Sequence, residues 1–188
     1  MPTGLVRCPS AATRQDQGTS LTINIDSNLS NAAALLWHAY KSLGSPSNQV
    51  NWAGMKRVIL TGCIRTTLTK TGFYVRDTSS TQPQLILGPF QGKVACQTIL
   101  FGKGVCGTAA QTQQTQLVRD VESFPGHIAC DGDSKSEIVV PIVVQEAGGF
   151  KTVAIIDIDC AELNGFDEVD QKFLEELAAL LAMSCNWP

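Results

Sequence analysis

Three cysteines sit in company that favours chemistry: Cys96 in GKVACQ, Cys106 in GKGVCGTAA and Cys130 in PGHIACDGDSKSE. Glycines around Cys106 allow close approach of backbone to a ligand. A helix opening at Gly104 or Val105 would hold Cys106 near its N-terminus, where the dipole and free N–H groups favour a thiolate. Cys130 follows His127 and precedes an Asp-Gly turn, which places it on a loop. Acids come next. Glu137 opens the run EIVVPIVV, and Asp157 and Asp159 in IIDIDC point to one face of a strand. Two carboxylates at the end of an apolar strand cost free energy unless they bind something, and they could be an acid of raised pKa and its partner. Plainer readings stand beside these. Free cysteines are among the most buried residue types, and Cys160 and Cys185 are left as buried thiols. The two aspartates could cap a strand end, Trp52 could be a core aromatic, and His127 a solvated loop residue.

The elements that must position these groups are legible as patterns. The stretch before AAALLWHAYKSL reads as an N-cap and helix start, with Leu29, Ala33, Leu36, Trp37 and Tyr40 on one face and a stop near Gly44. QLILGPF, KVACQTI, TQLVRDV, EIVVPIVV and TVAIIDID are short runs rich in Val and Ile, broken by turn residues, and read as strands. A short helix is expected within FGKGVCGTAAQTQ. The last helix is capped by Asp167 and carries an apolar stripe of Val169, Phe173, Leu174, Leu177, Leu180 and Leu181. The fold class that follows is α+β: a single, mainly antiparallel central sheet flanked by helices, those helices lying on one face. Residues 1–19 are polar and read as a disordered tail, leaving 20–188 as one domain.

Composition narrows the function classes. The chain has 188 residues, a net charge of −3 and 44% hydrophobic residues, which fits one globular domain with a core. An acidic chain is a poor partner for nucleic acid. No apolar run reaches membrane-spanning length and the N-terminus lacks the apolar centre of a signal peptide, so a cytoplasmic protein without membrane association is expected. Seven cysteines in such a compartment are not a disulfide framework. With two histidines and no CxxC pair, no metal site is expected.

Taken together, NLSNAAALLWHAYKSL, NWAG, GFYV, LILGPFQGKVACQTILFGKGVCGTAA, PGHIACDGDSKSEIVVPI and IDIDC resemble the free methionine-R-sulfoxide reductases, which are GAF-domain enzymes. The resemblance implies a GAF-like domain, thioredoxin-dependent reduction of free L-methionine (R)-S-oxide to methionine, a homodimer, and no metal or organic cofactor. It implies that Cys130, Cys106 and Cys96 are the catalytic and resolving cysteines, with Cys130 favoured as nucleophile and Cys106 or Cys96 resolving. It also implies that Glu137, Asp157 and Asp159 hold and polarise the substrate, and that Trp52 and Tyr74 wall the pocket. Such chemistry needs a thiolate attacking sulfur, an acid protonating oxygen, and a second thiol to close a disulfide.

One stretch departs from the family. The family pattern is a continuous strand, and here NWAG and GFYV are separated by residues 55–72, an atypical insertion bearing Lys56, Arg57, Arg65 and Lys70 and no acid. Deleting it joins Gly54 to Phe73 and restores the pattern. Its ends are compatible with a translated intron, and a genuine loop is the alternative. For Trp52 and Tyr74 to line one pocket, the insertion must loop out and return to the same register. The family's first helix, expected before Asn24, is replaced by the polar tail. Two other functions stay open: a GAF module that binds a small molecule without reacting, and a reductase inactivated by the insertion.

Overall fold

The computed structural model describes residues 25–50, 52–54, 71–93, 95–128 and 132–187, and of 52–54 and Thr71 the backbone alone. Residues 1–24, 55–70 and Cys130 lie outside the described residues. In chain order the elements are α1 (Ile25–Ser42), β1 (Trp52–Gly54), β2 (Thr71–Arg76), β3 (Gln84–Gly92), β4 (Thr98–Leu100), α2 (Gly104–Thr112), β5 (Gln116–Val118), β6 (Ser136–Glu146), β7 (Gly149–Cys160) and α3 (Glu168–Ser184). The strands form one sheet in the order β1-β3-β2-β7-β6-β5, with β4 also paired to β3, and every pairing is antiparallel.

Strand alternation sends successive residues of β6 and β7 to opposite faces. Ile138, Val140 and Ile142 of β6 join Ala154, Ile156 and Ile158 of β7 and Phe73 of β2 in a core under α1 and α3. Val139, Ile155 and Tyr74 point the other way, into a second core with Leu85 and with Val105, Cys106, Ala109 and Ala110 of α2. Helices therefore cover both faces, not one as the terminal helices alone imply. The short helix α2 needs only small apolar residues to seat itself. Gly107 is part of the reason: a Cβ there would lie 2.2 Å from the Leu100 carbonyl oxygen.

The first helix begins at or before Ile25, so Ser30 and Asn31 are inside it and not its cap. Leu29, Ala33 and Tyr40 are buried, while Trp37 is half-buried with the Lys41 ammonium 4.8 Å from its ring centre. Asp167 caps α3 as the sequence predicts, accepting from the Val169 and Asp170 amides, and the Asp170 carboxylate accepts from the Asp167 amide in return. Tyr40 donates to Asp170 at 2.9 Å and ties α1 to this cap. The stripe on α3 divides. Leu174 and Leu181 reach the core, whereas Val169, Phe173 and Leu180 are exposed. Of KVACQTI only the end is strand: β4 starts at Thr98, and Lys93, Ala95, Cys96 and Gln97 lie outside any strand.

The segment around the insertion is arranged in a way the sequence does not reveal. Val50 bridges to Cys160 at the end of β7, and β2 runs beside β7 from Thr71 opposite Ile158 to Val75 opposite Ala154. The strand β1 lies elsewhere, on the far edge of β3, with Trp52 opposite Gly92. NWAG and GFYV are thus not two halves of one strand. The physical reason is a near-repeat in the sequence: Ala53-Gly54 and Thr71-Gly72 are interchangeable small dipeptides, and Thr71-Gly72, continuous with Phe73, takes the place beside Ile158 and Asp157.

Candidate active site

The ladder between β6 and β7 builds the acidic floor. Glu137 stands directly opposite Asp159, and Asp157, two residues along, is opposite Val139. All three carboxyls fall on the α2 face, where Gly72 of β2 lies beside Asp157 and Tyr74 beside Ile155. Gly104 turns the chain through φ +61° into α2 and delivers Cys106 as the third residue of that helix. The Cys106 thiol donates to Glu137 Oε1 at 3.5 Å. Glu137 in turn is hydrogen-bonded to Asp157. Two carboxyls in hydrogen-bond contact need a proton between them.

Burial dominates the electrostatics. It pushes the Glu137 carboxyl well above the ordinary carboxylate range, and the charges of Asp157 and Asp159 push it further. Burial likewise raises the Cys106 thiol, reinforced by Asp157 and Glu137. The helix N-terminus therefore does not make Cys106 a thiolate here: desolvation and adjacent carboxyls outweigh the dipole. Tyr74, 1% exposed, is also held protonated, first by burial and then by Asp157 and Cys106. Glu137, Cys106 and Tyr74 are thus all pushed toward their protonated forms by burial and by the neighbouring Asp157 and Asp159 charges, and a carboxyl that keeps its proton is what an acid catalyst for a poor oxygen leaving group requires.

Above this floor is a cavity of about 240 Å³, of a size for one small molecule. Its wall includes Cys96, Cys106, Lys103, His127, Glu137, Asp157 and Asp159. Cys96, half-buried in the loop between β3 and β4, is disulfide-bonded. Cys106, Cys160 and Cys185 are free thiols. The Cys106 thiol, Glu137 and Asp157 also present donor atoms within 4.8 Å of one another, a set that a cation could use.

The profile of the family described as GAF domain matches residues 54–184. The chain is 54% identical over 163 residues to the free methionine-R-sulfoxide reductase of Saccharomyces cerevisiae, a match covering 87% of this chain and 77% of the relative. The chain belongs to the GAF-domain family of the free methionine-R-sulfoxide reductases. Among solved structures, that of a GAF domain superposes with a TM-score of 0.72 at 53% identity, covering 89% of this chain and 80% of that one. The free methionine-R-sulfoxide reductase of Neisseria meningitidis in complex with its substrate gives a TM-score of 0.66 at 36% identity, covering 86% and 78%.

Of the residues that family resemblance singled out, the structure brings Cys96, Cys106, Glu137, Asp157 and Asp159 to one cavity and packs Tyr74 in the core beneath it. Cys130 lies outside the described residues. The Trp52 backbone is on the β3 edge, two strands from β7. His127 is not the solvated loop residue its sequence context suggests. Its side chain is 15% exposed, lines the cavity, and places Nε2 4.0 Å from Glu137 Oε2. Lys103 and Ser134 also line the cavity and were not singled out. The signal for Lys103 was present, since it immediately precedes the helix that carries Cys106.

Proposed function

We propose that this protein reduces free L-methionine (R)-S-oxide to L-methionine, with thioredoxin restoring the enzyme and no organic cofactor or resident metal taking part. The observation that carries this is the proton-holding trio of Glu137, Asp157 and Cys106 beneath a small cavity on which Cys96 also opens, in a member of this reductase family.

In the proposed reaction the Cys130 sulfur attacks the sulfoxide sulfur while Glu137 gives its proton to the sulfoxide oxygen. The protonated oxygen then passes from the substrate sulfur to the Cys130 sulfur as the transient bond between the two sulfurs breaks, so that methionine leaves with that electron pair and Cys130 becomes a sulfenic acid. A second thiol then displaces that oxygen as water and closes a disulfide. Cys96 is the better placed resolving residue, because it lines the cavity and is disulfide-bonded whereas Cys106 is a buried free thiol. Cys106 keeps its thiol proton and serves as a hydrogen-bond donor to Glu137. A thioredoxin dithiol supplies two electrons and two protons to reopen the disulfide.

A homodimer is part of this proposal. Asn28, Leu35, Leu36 and Ala39 of α1 border a groove with Leu177 and Leu180 of α3, and Phe173 and Val169 continue its exposed apolar surface. Apolar area of this kind marks an interaction face, and a second copy would bury it.

Thiol counting tests the function. The reduced protein is mixed with one equivalent of each methionine sulfoxide epimer, and free thiols and intact mass are followed. Loss of two thiols with the R epimer alone is expected, and Cys96→Ser should stop at a sulfenic acid. A non-reacting GAF module would lose no thiols. One observation favours a second reading, a reductase weakened by residues 55–72: β1 with Trp52 is paired to the β3 edge and not to β7. Comparing turnover with and without 55–72 decides how far the insertion limits this chain.

A further inference from the structure

We propose that Lys103 receives the α-carboxylate of the substrate and thereby selects a free amino acid over a peptide-bound residue, an assignment that rests on the reductase function above. The cavity wall is acidic along β6 and β7, where Glu137, Asp157 and Asp159 stand together. A zwitterionic amino acid can place its ammonium and its sulfoxide oxygen against such a surface, but its carboxylate is repelled by it. The carboxylate must therefore face a different wall.

That wall is the start of α2, where Lys103, Gly104, Val105 and Cys106 line the cavity. Two lining residues can carry positive charge, His127 and Lys103. His127 is directed to Glu137 at 4.0 Å and belongs to the acidic side. Lys103 is uncommitted. Lys93, Arg119, Lys135 and Lys151 are each ion-paired to a carboxylate, whereas no ion pair or side-chain hydrogen bond involves Lys103 among the described residues. An exposed, unpaired ammonium at the edge of an acidic cavity has a ready counter-ion in an incoming carboxylate, and one that a peptide-bound methionine sulfoxide lacks. Holding the carboxylate there fixes which end of the short substrate reaches Cys106 and Glu137.

The test crosses one enzyme change with one substrate change. Wild type, Lys103→Met and Lys103→Arg are assayed with free L-methionine (R)-S-oxide and with its α-carboxamide. Lys103→Met should lower kcat/KM for the free acid by about 10- to 100-fold, chiefly through KM, as expected for losing a hydrogen bond to a charged group. The carboxamide should be a poor substrate for wild type and no poorer for Lys103→Met, and Lys103→Arg should retain most of the preference for the free acid. Because Lys103 is exposed, the variants should melt with wild type. If wild type turns over the free acid and Lys103→Met does so with the same KM, or loses both substrates equally, Lys103 is not the carboxylate receptor while the reductase function stands. If wild type turns over neither, both fall.

Discussion

Replacing Glu137 by Gln separates catalysis from stability in opposite directions. Wild-type Glu137 is 6% exposed, and burial together with the neighbouring Asp157 and Asp159 charges raises its carboxyl well above the ordinary carboxylate range, against the smaller opposing effect of the hydrogen bond from Cys106. A native state that holds a proton which the unfolded chain releases is most stable below the ordinary carboxylate range. It loses that stability as pH rises toward the folded-state pKa. The slope is up to about 1.4 kcal/mol per pH unit for one retained proton. Gln keeps the shape and a donor toward Asp157 but has no proton to lose, so the variant should lack this contribution. Urea unfolding at pH 5, 6, 7 and 8 should show Glu137→Gln gaining stability relative to wild type as pH rises, with similar m-values. The same variant should lose about 10²- to 10⁴-fold in kcat, the usual worth of a general acid. Parallel stability curves for the two proteins, or a kcat within a few-fold of wild type, would refute the assignment of Glu137 as the proton-holding acid.

Three further outcomes follow from the fold. Deleting residues 55–72 lets Ala53-Gly54 take the place of Thr71-Gly72 beside β7. It should raise stability by about 2 kcal/mol from the closure entropy of the removed loop and lower KM as Trp52 rejoins the strand of Tyr74; an unchanged melt and KM would show the insertion to be neutral. Phe173→Glu with Leu180→Glu places two charges on the exposed α3 surface and should convert a dimer to a folded monomer by light scattering, whereas an unchanged mass would move the interface elsewhere. Asp167→Ala removes the side chain that accepts from the Val169 and Asp170 amides and should cost about 1 kcal/mol in urea unfolding, without changing KM.

What could be read from the sequence was what alternation and local capping decide. The period-two pattern of EIVVPIVV and IIDIDC puts Asp157 and Asp159 on one face, and the β6–β7 register then sets Glu137 opposite Asp159. Asp167 was legible as a cap because capping is local. Four features were not legible, each for a tertiary reason. Cys106 sits near a helix N-terminus as expected, but its proton is held first by burial and then by three carboxyls from strands distant in sequence. On α3, one apolar period serves two surfaces: Leu174 and Leu181 face the core while Phe173 and Leu180 face solvent, and periodicity cannot distinguish a core from an interface. Trp52 was placed with Tyr74 by continuity of pattern, but Thr71-Gly72 competes for the same place on β7 and has the advantage of adjacency to Phe73. His127 reads as a solvated loop residue because a polar loop residue gives no sign of the wall it will line until the cavity is assembled.

The most direct measurement of the central claim is steady-state NADPH consumption through thioredoxin reductase and thioredoxin, with the full chain and, separately, free L-methionine (R)-S-oxide, free L-methionine (S)-S-oxide and an R-sulfoxide within a peptide. The account predicts turnover of the free R form alone, abolished by Cys130→Ser. Equal turnover of both epimers, turnover of the peptide, or retention of activity in Cys130→Ser would contradict it.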